Sequence, residues 1–414
     1  MSEWVDGALE TLRDAMDGDA PPAEFLPPQP GQPPSWAPRP EVSGGRWPVR
    51  SARGPAPTAI EAAEGPGSSE RVSVVVRTSG STGTPKETLL SAEALRASAD
   101  MTAQALGGHG QWLLTLHPSY VAGLAVLTRS LRAGTVPVPL LERSAEPTAF
   151  AAAAEQLTAE RRYVSLVPTQ LQRLLDSEDQ RLLGAMRRFD AILLGGGRTS
   201  PELFGRAKRL GLNVLRTYGM AETCGGCVYD GAPLPGVGVE LDAEGRVLLS
   251  GAQVALGYRD SELTAERFDS TPAGERRFRT DDLGEIRDGV LSITGRTDDV
   301  INTGGVKVSA VRIQQVLEEH PSVRDAFVAS AEDPEWGQKV CAVVVLSQVS
   351  RSRSTLDELN AAVREQLGAP AVPKHYELLG ALPQLRNGKP DRQALNRLLR
   401  AAAQPGRRKA NSNG

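Results

Sequence analysis

Residues 78–86 read Thr-Ser-Gly-Ser-Thr-Gly-Thr-Pro-Lys and follow directly on a β-branched run. Glycines let backbone N–H groups approach an anion closely, hydroxyls add donors, and a lysine adds charge. Thr78, Ser79, Ser81, Thr82, Gly83 and Lys86 are therefore candidates to wrap a polyphosphate. The spacing is not that of a Walker A loop, which ends in Gly-Lys-Ser/Thr. The competing reading is a flexible surface turn, since Ser/Thr/Gly clusters usually form loops. A second group, Gly195-Gly196-Gly197, follows the apolar run 191–194. Ligands of open α/β sheets sit at the carboxyl ends of strands, and residues without side chains there let a flat base lie on the backbone. A tight strand-to-helix turn is the alternative. Cys224 and Cys227 make a CxxC, but zinc would need two more ligands, and no His or Cys cluster supplies them.

The elements that must position these residues alternate. Strands are expected over 72–78, 112–116, 163–167, 191–194 and 214–218, and helices over 91–106, 122–131, 168–175 and 200–210, the last with Pro201 in its first turn. That alternation predicts an α/β domain around a largely parallel sheet. After about residue 235 short strands with tight turns take over, at 238–241, 245–249, 283–287 and 290–294, which predicts antiparallel β structure. Beyond Gly295 a small α+β unit is expected, with helices over 310–319 and 355–367 and strands over 323–331 and 339–346. A short helix is expected at 1–17. The proline-rich stretch 20–40 and the Ala/Pro/Gly-rich stretch 51–69 are expected to be extended or poorly ordered, and 401–414 to be a disordered tail. The resulting organisation is an N-terminal region 1–70, a large domain 71–296, a mobile C-terminal domain 297–400 and the tail.

Bulk properties narrow the classes. Lys+Arg is 47 and Asp+Glu 50, a formal charge of −3, so nothing favours nucleic-acid binding. No apolar run approaches the ~18 residues a membrane span needs. The N-terminus lacks the basic and apolar regions of a secretory signal. Three cysteines cannot build a disulfide framework, so a reducing, cytoplasmic setting is expected. A homodimer is one possible assembly.

The segment TSGSTGTPK resembles the signature of the adenylate-forming superfamily of acyl-CoA synthetases, luciferases and peptide-synthetase adenylation domains. Further motifs follow in the family's order over roughly residues 70–400. The resemblance implies that the 78–86 loop holds the β- and γ-phosphates of ATP. Glu87 stands where the family usually has glycine, and a carboxylate beside a phosphate loop is unfavourable unless it points away. Gly195–Gly197 would line the adenine. Tyr218-Gly219-Met220-Ala221-Glu222-Thr223 resembles the Tyr-Gly-x-Thr-Glu motif, with Ala221 in place of a hydroxyl residue. It implies that Tyr218 stacks on adenine beside Gly219, Glu222 binds Mg²⁺, and Thr223 bonds the α-phosphate. The Cys224/Cys227 pair then reads as small residues near the acyl pocket. In Arg279-Thr280-Asp281-Asp282-Leu283-Gly284, Asp282 would accept both ribose hydroxyls; an exposed turn between strands is the alternative. Arg296 would reach the ribose or phosphate, and Asp298 would be the hinge between lobes. Gly304 and Gly305 would belong to the strand that lines the pantetheine tunnel of coenzyme A. Lys389, in a Pro-x-x-x-x-Gly-Lys-like segment, would neutralise charge developing at the α-phosphate.

Residues 112–124 and 165–171, together with 218–231, look most like the o-succinylbenzoate–CoA ligases of menaquinone synthesis, in their compact actinobacterial form. The implied partners are a small carboxylic acid and CoA. Ser119 and Tyr120 occupy places where those enzymes carry histidines, and His117 lies just upstream. Ser119, Tyr120 and Gly123 are thus the candidate acid-binding residues. Another aromatic or short acid remains an alternative substrate, and a catalytically weak nucleotide-binding protein an alternative class.

Overall fold

The computed structural model describes residues 2–20, 22–26, 70–79, 85–347, 353–384 and 390–402. The predicted extended stretches therefore lie mostly, and the tail almost wholly, outside the described residues, as do Ser81, Thr82, Gly83 and Lys389. The architecture is mixed α/β, as expected. It divides into two units, one built from residues 1–240, 248–280 and 288–291, the other from 241–247, 281–287 and 292–414.

The first unit opens with helix α1 (Ser2–Asp17) and strand β1 (Ala23–Glu24). α1 buries Val5, Leu9 and Leu12 in the same core as Val74 and Leu90, so the N-terminal segment is part of this unit's interior. Strands β2 (Val72–Ser79) and β3 (Pro85–Ser91) form a hairpin around the predicted phosphate loop. β3 was not expected, because Pro85, Lys86 and Glu87 read as loop. Ser91 caps helix α2 (Ala92–Ala105) by accepting the Ala94 N–H at 3.1 Å, a contact worth about 1 kcal/mol.

Strand β4 (Gln111–Leu114), helix α3 (Val121–Ala133), strand β5 (Val138–Pro139), helix α4 (Pro147–Glu155) and strand β6 (Arg162–Leu166) follow. Helices α5 (Pro168–Asp176) and α6 (Gln180–Met186), strand β7 (Ala191–Leu194), helix α7 (Pro201–Arg209) and strand β8 (Val214–Met220) continue the alternation. Strands β9 (Gly225–Tyr229) and β10 (Ala232–Pro233) complete a seven-stranded sheet in the order β10-β9-β8-β7-β6-β4-β5. Its β8-β7-β6-β4-β5 run is parallel, and β9 and β10 are antiparallel.

Strands β11 (Gly238–Leu241), β12 (Arg246–Ser250) and β13 (Gly257–Tyr258), helix α8 (Ser261–Arg267), and strands β14 (Phe268–Ser270), β15 (Arg276–Arg287) and β16 (Val290–Arg296) supply the predicted short-strand region. β13 adds to β3, giving a sheet in the order β1-β2-β3-β13.

In the second unit, strands β17 (Val300–Thr303) and β18 (Val306–Ser309) form a hairpin, followed by helix α9 (Ala310–Glu318). Strands β19 (Val323–Asp333) and β20 (Gly337–Leu346) form a long antiparallel pair. Helix α10 (Arg353–Leu367), strand β21 (His375–Leu379) and helix α11 (Arg392–Ala402) complete it. Ile313, Leu317, Val328, Val344 and Leu359 fill its main core.

Candidate active site

The β2–β3 ladder places Thr78 opposite Lys86 and Arg77 opposite Glu87. Lys86 Nζ lies 5.5 Å from the centre of the Tyr258 ring. Tyr258 is only 3 % exposed and Glu222 8 %, and the Tyr258 hydroxyl donates to Glu222 Oε1 at 2.6 Å. A buried carboxylate is costly unless hydrogen-bonded, and a short O–H···O⁻ bond is among the strong ones. Tyr258 is itself fixed by Thr264, whose Oγ1 accepts the Tyr258 N–H at 2.8 Å. The Glu222 carbonyl accepts the Ala255 N–H at 2.9 Å. The site thus has a lysine beside a phenol whose hydroxyl bonds a carboxylate. Tyr258 was missed from sequence because its role depends on β13 folding back onto β3, a pairing between residues far apart in the chain.

Glu222 sits in a single 3₁₀ turn, Ala221–Thr223, after β8. Thr223 is fully buried. Its hydroxyl accepts the Met220 N–H at 3.0 Å and lies 2.8 Å from the Gly225 carbonyl, to which it donates. That hydroxyl turns inward and fixes the turn that presents Glu222. Gly219 is required by close approach, since a Cβ there would lie 2.0 Å from the Gly225 carbonyl oxygen. Tyr218 is half-buried on β8. At the end of β7, a Cβ on Gly195 would meet Thr217 Oγ1 at 2.4 Å. Gly196 has φ of +76°, and Gly196 and Gly197 are exposed. Because β4, β6, β7 and β8 are parallel, Ser119, Gly195 and Tyr218 all lie toward their carboxyl edge.

At the predicted acid-binding turn, Ser119 is buried, and its backbone N–H donates to His117 Nδ1 at 3.1 Å. Nδ1 is therefore the unprotonated nitrogen, and the Ser119 hydroxyl, 2.8 Å away, donates to it as well. The hydroxyl proton expected to serve a substrate carboxylate is engaged within the turn. Burial holds the imidazole neutral, with its pKa pushed down to about 4. Tyr120 precedes α3 as its N-cap. Gly123 meets a packing demand, because a Cβ would lie 2.3 Å from the Leu116 carbonyl oxygen and 2.4 Å from that of His117.

Two turns along α3 lies a residue that the motifs did not flag. Arg129 is 5 % exposed, and its Nε has no hydrogen-bond partner. Its guanidinium stacks 4.8 Å from the Trp112 ring centre. Burial lowers its pKa, opposed by the nearby Tyr229. Among the described residues no carboxylate pairs with it. It lines a narrow crevice with Leu95, Ser98, Ala125, Thr128 and Cys224. Cys224 and Cys227 are buried free thiols; burial pushes Cys227 up to about 12 and Cys224 higher still. No group of three or more His, Cys, Asp and Glu suited to a metal occurs among the described residues. The sequence signal was a lone arginine inside the otherwise uncharged run Val121–Ser130, of which every residue from Gly123 to Ser130 is buried.

In the second unit Arg296 gathers three carboxylates. Its Nη1 is 3.1 Å from Asp282 Oδ1, its Nε 2.8 Å from Asp298 Oδ1, and its Nη2 3.6 Å from Asp281 Oδ2. Burial alone would lower the Arg296 pKa, but the bond to Asp298 and the charges of Asp282 and Asp281 raise it. Burial would raise Asp298, yet Arg296 and Arg392 hold it below the usual carboxylate range. Asp282 is buried within the twelve-residue strand β15. This corrects the alternative of an exposed turn: alternating burial along β15 turns Thr280 and Asp282 inward. Asp298 lies in the 3₁₀ turn Thr297–Asp299, and Asp299 pairs with Arg392. Gly304 and Gly305, expected within a strand, instead make the β17–β18 turn with φ of +58° and +82°. A Cβ on Gly304 would also lie 2.4 Å from the indole of Trp336. Beside Lys389, Gln384 pairs with Pro390 and the Asp391 N–H donates to the Pro383 carbonyl at 2.8 Å.

Known proteins are similar to this chain in sequence and fold. The family described as AMP-binding enzyme matches residues 17–259, and its C-terminal domain matches residues 312–389. A protein of Mycobacterium tuberculosis named a probable 2-succinylbenzoate–CoA ligase is 42 % identical over 330 residues, 79 % of this chain and 84 % of that one. An o-succinylbenzoate CoA synthetase from Bacillus subtilis, solved with an acyl-adenylate intermediate, is 26 % identical with a TM-score of 0.65, over 79 % of this chain and 69 % of that one. An amide bond synthetase from Marinactinospora thermotolerans is 29 % identical with a TM-score of 0.67, over 79 % and 69 % of the two chains.

Proposed function

We propose that this chain, which belongs to the AMP-binding enzyme family, is an AMP-forming acid–CoA ligase whose acid is o-succinylbenzoate. The acid's carboxylate attacks the α-phosphate of ATP and pyrophosphate leaves. The CoA thiolate then attacks the acyl-adenylate carbonyl and AMP leaves. Residues 78–86 bind the polyphosphate, with Lys86 supplying charge. Gly195, Gly196, Gly197, Tyr218 and Gly219 receive the adenine, Asp282 with Arg296 the ribose, and Gly304 with Gly305 the pantetheine arm. Lys389 acts in the first half-reaction only, and Asp298 is the hinge at the start of a mobile C-terminal domain. Thr223 acts by positioning Glu222.

A buried carboxylate with a phenol on one oxygen suits a hard cation that takes one carboxylate plus phosphate oxygens. When bound, Mg²⁺ supplies charge neutralisation on the phosphates. Glu222 would hold it, and Tyr258 would orient that carboxylate.

The observation that carries the choice of acid is Arg129. A buried guanidinium with an unpartnered Nε, on the helix that begins at the Ser119–Gly123 turn, calls for an anion. An aromatic acid with a second carboxylate supplies one, and the aliphatic carboxylate is left to react. ATP–pyrophosphate exchange across a panel of acids tests this. o-Succinylbenzoate should be fastest, and faster exchange with a monocarboxylic acid such as benzoate would reject it.

A further inference from the structure

Glu87 occupies the position after Lys86, at the root of the segment between β2 and β3. Successive residues of a strand face opposite ways. Lys86 faces Tyr258, so Glu87 faces away from Glu222. On that far face Arg77 Nη2 lies 2.9 Å from Glu87 Oε1. Arg259 Nε contacts Oε2 of the same carboxylate, and the Arg259 N–H donates to the Glu87 carbonyl at 3.0 Å. Arg77 Nε in turn lies 2.8 Å from Glu24 Oε1 on β1. Glu24, Arg77, Glu87 and Arg259 thus form a chain of alternating charge across the full width of the β1-β2-β3-β13 sheet.

We propose that Glu87 is a positioning residue for adenylation: held between Arg77 and Arg259, it fixes the strand that carries Lys86 and so sets the exit of the phosphate-binding segment. A glycine there would leave Arg77 and Arg259 facing each other and the strand untied. An isolated surface pair contributes little, but each member of this chain is already ordered by the next. The same ladder couples the two faces. Tyr258 and Arg259 are consecutive, so whatever shifts Arg259 along β3 also shifts the phenol that holds Glu222. The inference rests on reading residues 78–86 as the phosphate loop.

The test is ATP–pyrophosphate exchange with o-succinylbenzoate by the full chain and by Glu87→Gln, Arg259→Gln, their double variant and Lys86→Ala. Each single neutral variant should raise the KM for ATP by roughly threefold to fivefold, with kcat and the KM for the acid unchanged. The double variant should be no worse than either single one, because both remove the same contact. Added salt should narrow the gap from wild type. Lys86→Ala should lose exchange. If Lys86→Ala loses exchange while Glu87→Gln keeps the wild-type KM for ATP, or if the two single effects multiply, the positioning role is overturned and the loop reading stands. If Lys86→Ala exchanges like wild type, the loop reading falls and the proposal with it. Should Glu87→Gln fail to fold, Arg259→Gln removes a half-exposed side chain and carries the same comparison of KM against kcat.

Discussion

Replacing Arg129 with methionine separates substrate recognition from stability. In the free protein the guanidinium is buried, stacked on Trp112 and unpartnered at Nε. Losing the stacking costs about 1–2 kcal/mol. Relieving the desolvation of an unpaired buried charge returns a similar amount, since apolar residues of like volume often replace buried charges without loss. The melting temperature should therefore move by only a few degrees. With o-succinylbenzoate the outcome differs, because the ring carboxylate would then be buried without its partner. Breaking a buried pair costs ~3–5 kcal/mol. The lower end applies, because Trp112 already holds part of the guanidinium's charge. About 3 kcal/mol corresponds to roughly a hundredfold loss in kcat/KM. Benzoate has no second carboxylate and should keep its wild-type value. Exchange kinetics with both acids, run beside a thermal melt, give the two numbers needed. An unchanged ratio of the two acids would refute the pairing. A collapse in melting temperature with both acids failing equally would make Arg129 a structural residue.

Other outcomes follow from the same geometry. Lys389→Ala should abolish adenylate formation yet spare thioester formation from preformed acyl-adenylate, and Asp298→Pro should do the reverse, because proline fixes φ at a hinge; each half-reaction assayed separately decides both. Glu222→Gln should raise the Mg²⁺ concentration needed for half-maximal exchange, and Tyr258→Phe should do so more weakly by freeing the same carboxylate; magnesium titrations that overlay wild type would remove both from the site. Burial depresses His117 from 6.5 to about 4. Between those values the unfolded chain binds a proton that the folded one refuses, so stability is full above about pH 6.5 and falls as pH drops toward 4. His117→Gln should flatten that part of a denaturant-midpoint profile against pH, and an unaltered acid limb would show that the ring is solvated.

The sequence disclosed what is contiguous. Tyr218 through Thr223 and the β2 edge of the β2–β3 pair are short runs whose composition reports their geometry. Helix α7 announced itself through Ser200, which caps it at Leu203 N–H, and through Pro201. Helix α4 did not, because Pro147–Glu155 is alanine-rich and offers little contrast between faces. Asp282 was legible as a candidate ribose carboxylate, with an exposed turn as the alternative; what the sequence did not show was that pairing holds the whole segment Arg276–Arg287 extended and turns that side chain inward. Tyr258 and Arg129 acquire their meaning from partners far along the chain, Glu222 for one and Trp112 for the other. The Glu87 carboxylate, unfavourable beside phosphates on paper, is tolerated because strand alternation turns it toward two arginines.

The three thiols lead in a different direction. Cys224 and Cys227 are buried in the first unit and Cys341 in the second, all free. Burial raises all three pKa values, Cys341 to about 11, so almost no thiolate exists at neutral pH. A thiol reagent can reach them only when the surrounding structure opens. Each unit therefore carries its own clock for local unfolding, with no label to be engineered. Mass-resolved labelling rates under mild denaturant would report the opening free energies of the two units separately. Equal rates at Cys224 and Cys341 would mean that the units open as one cooperative body; a faster Cys341 would mark the second unit as the one that loosens first.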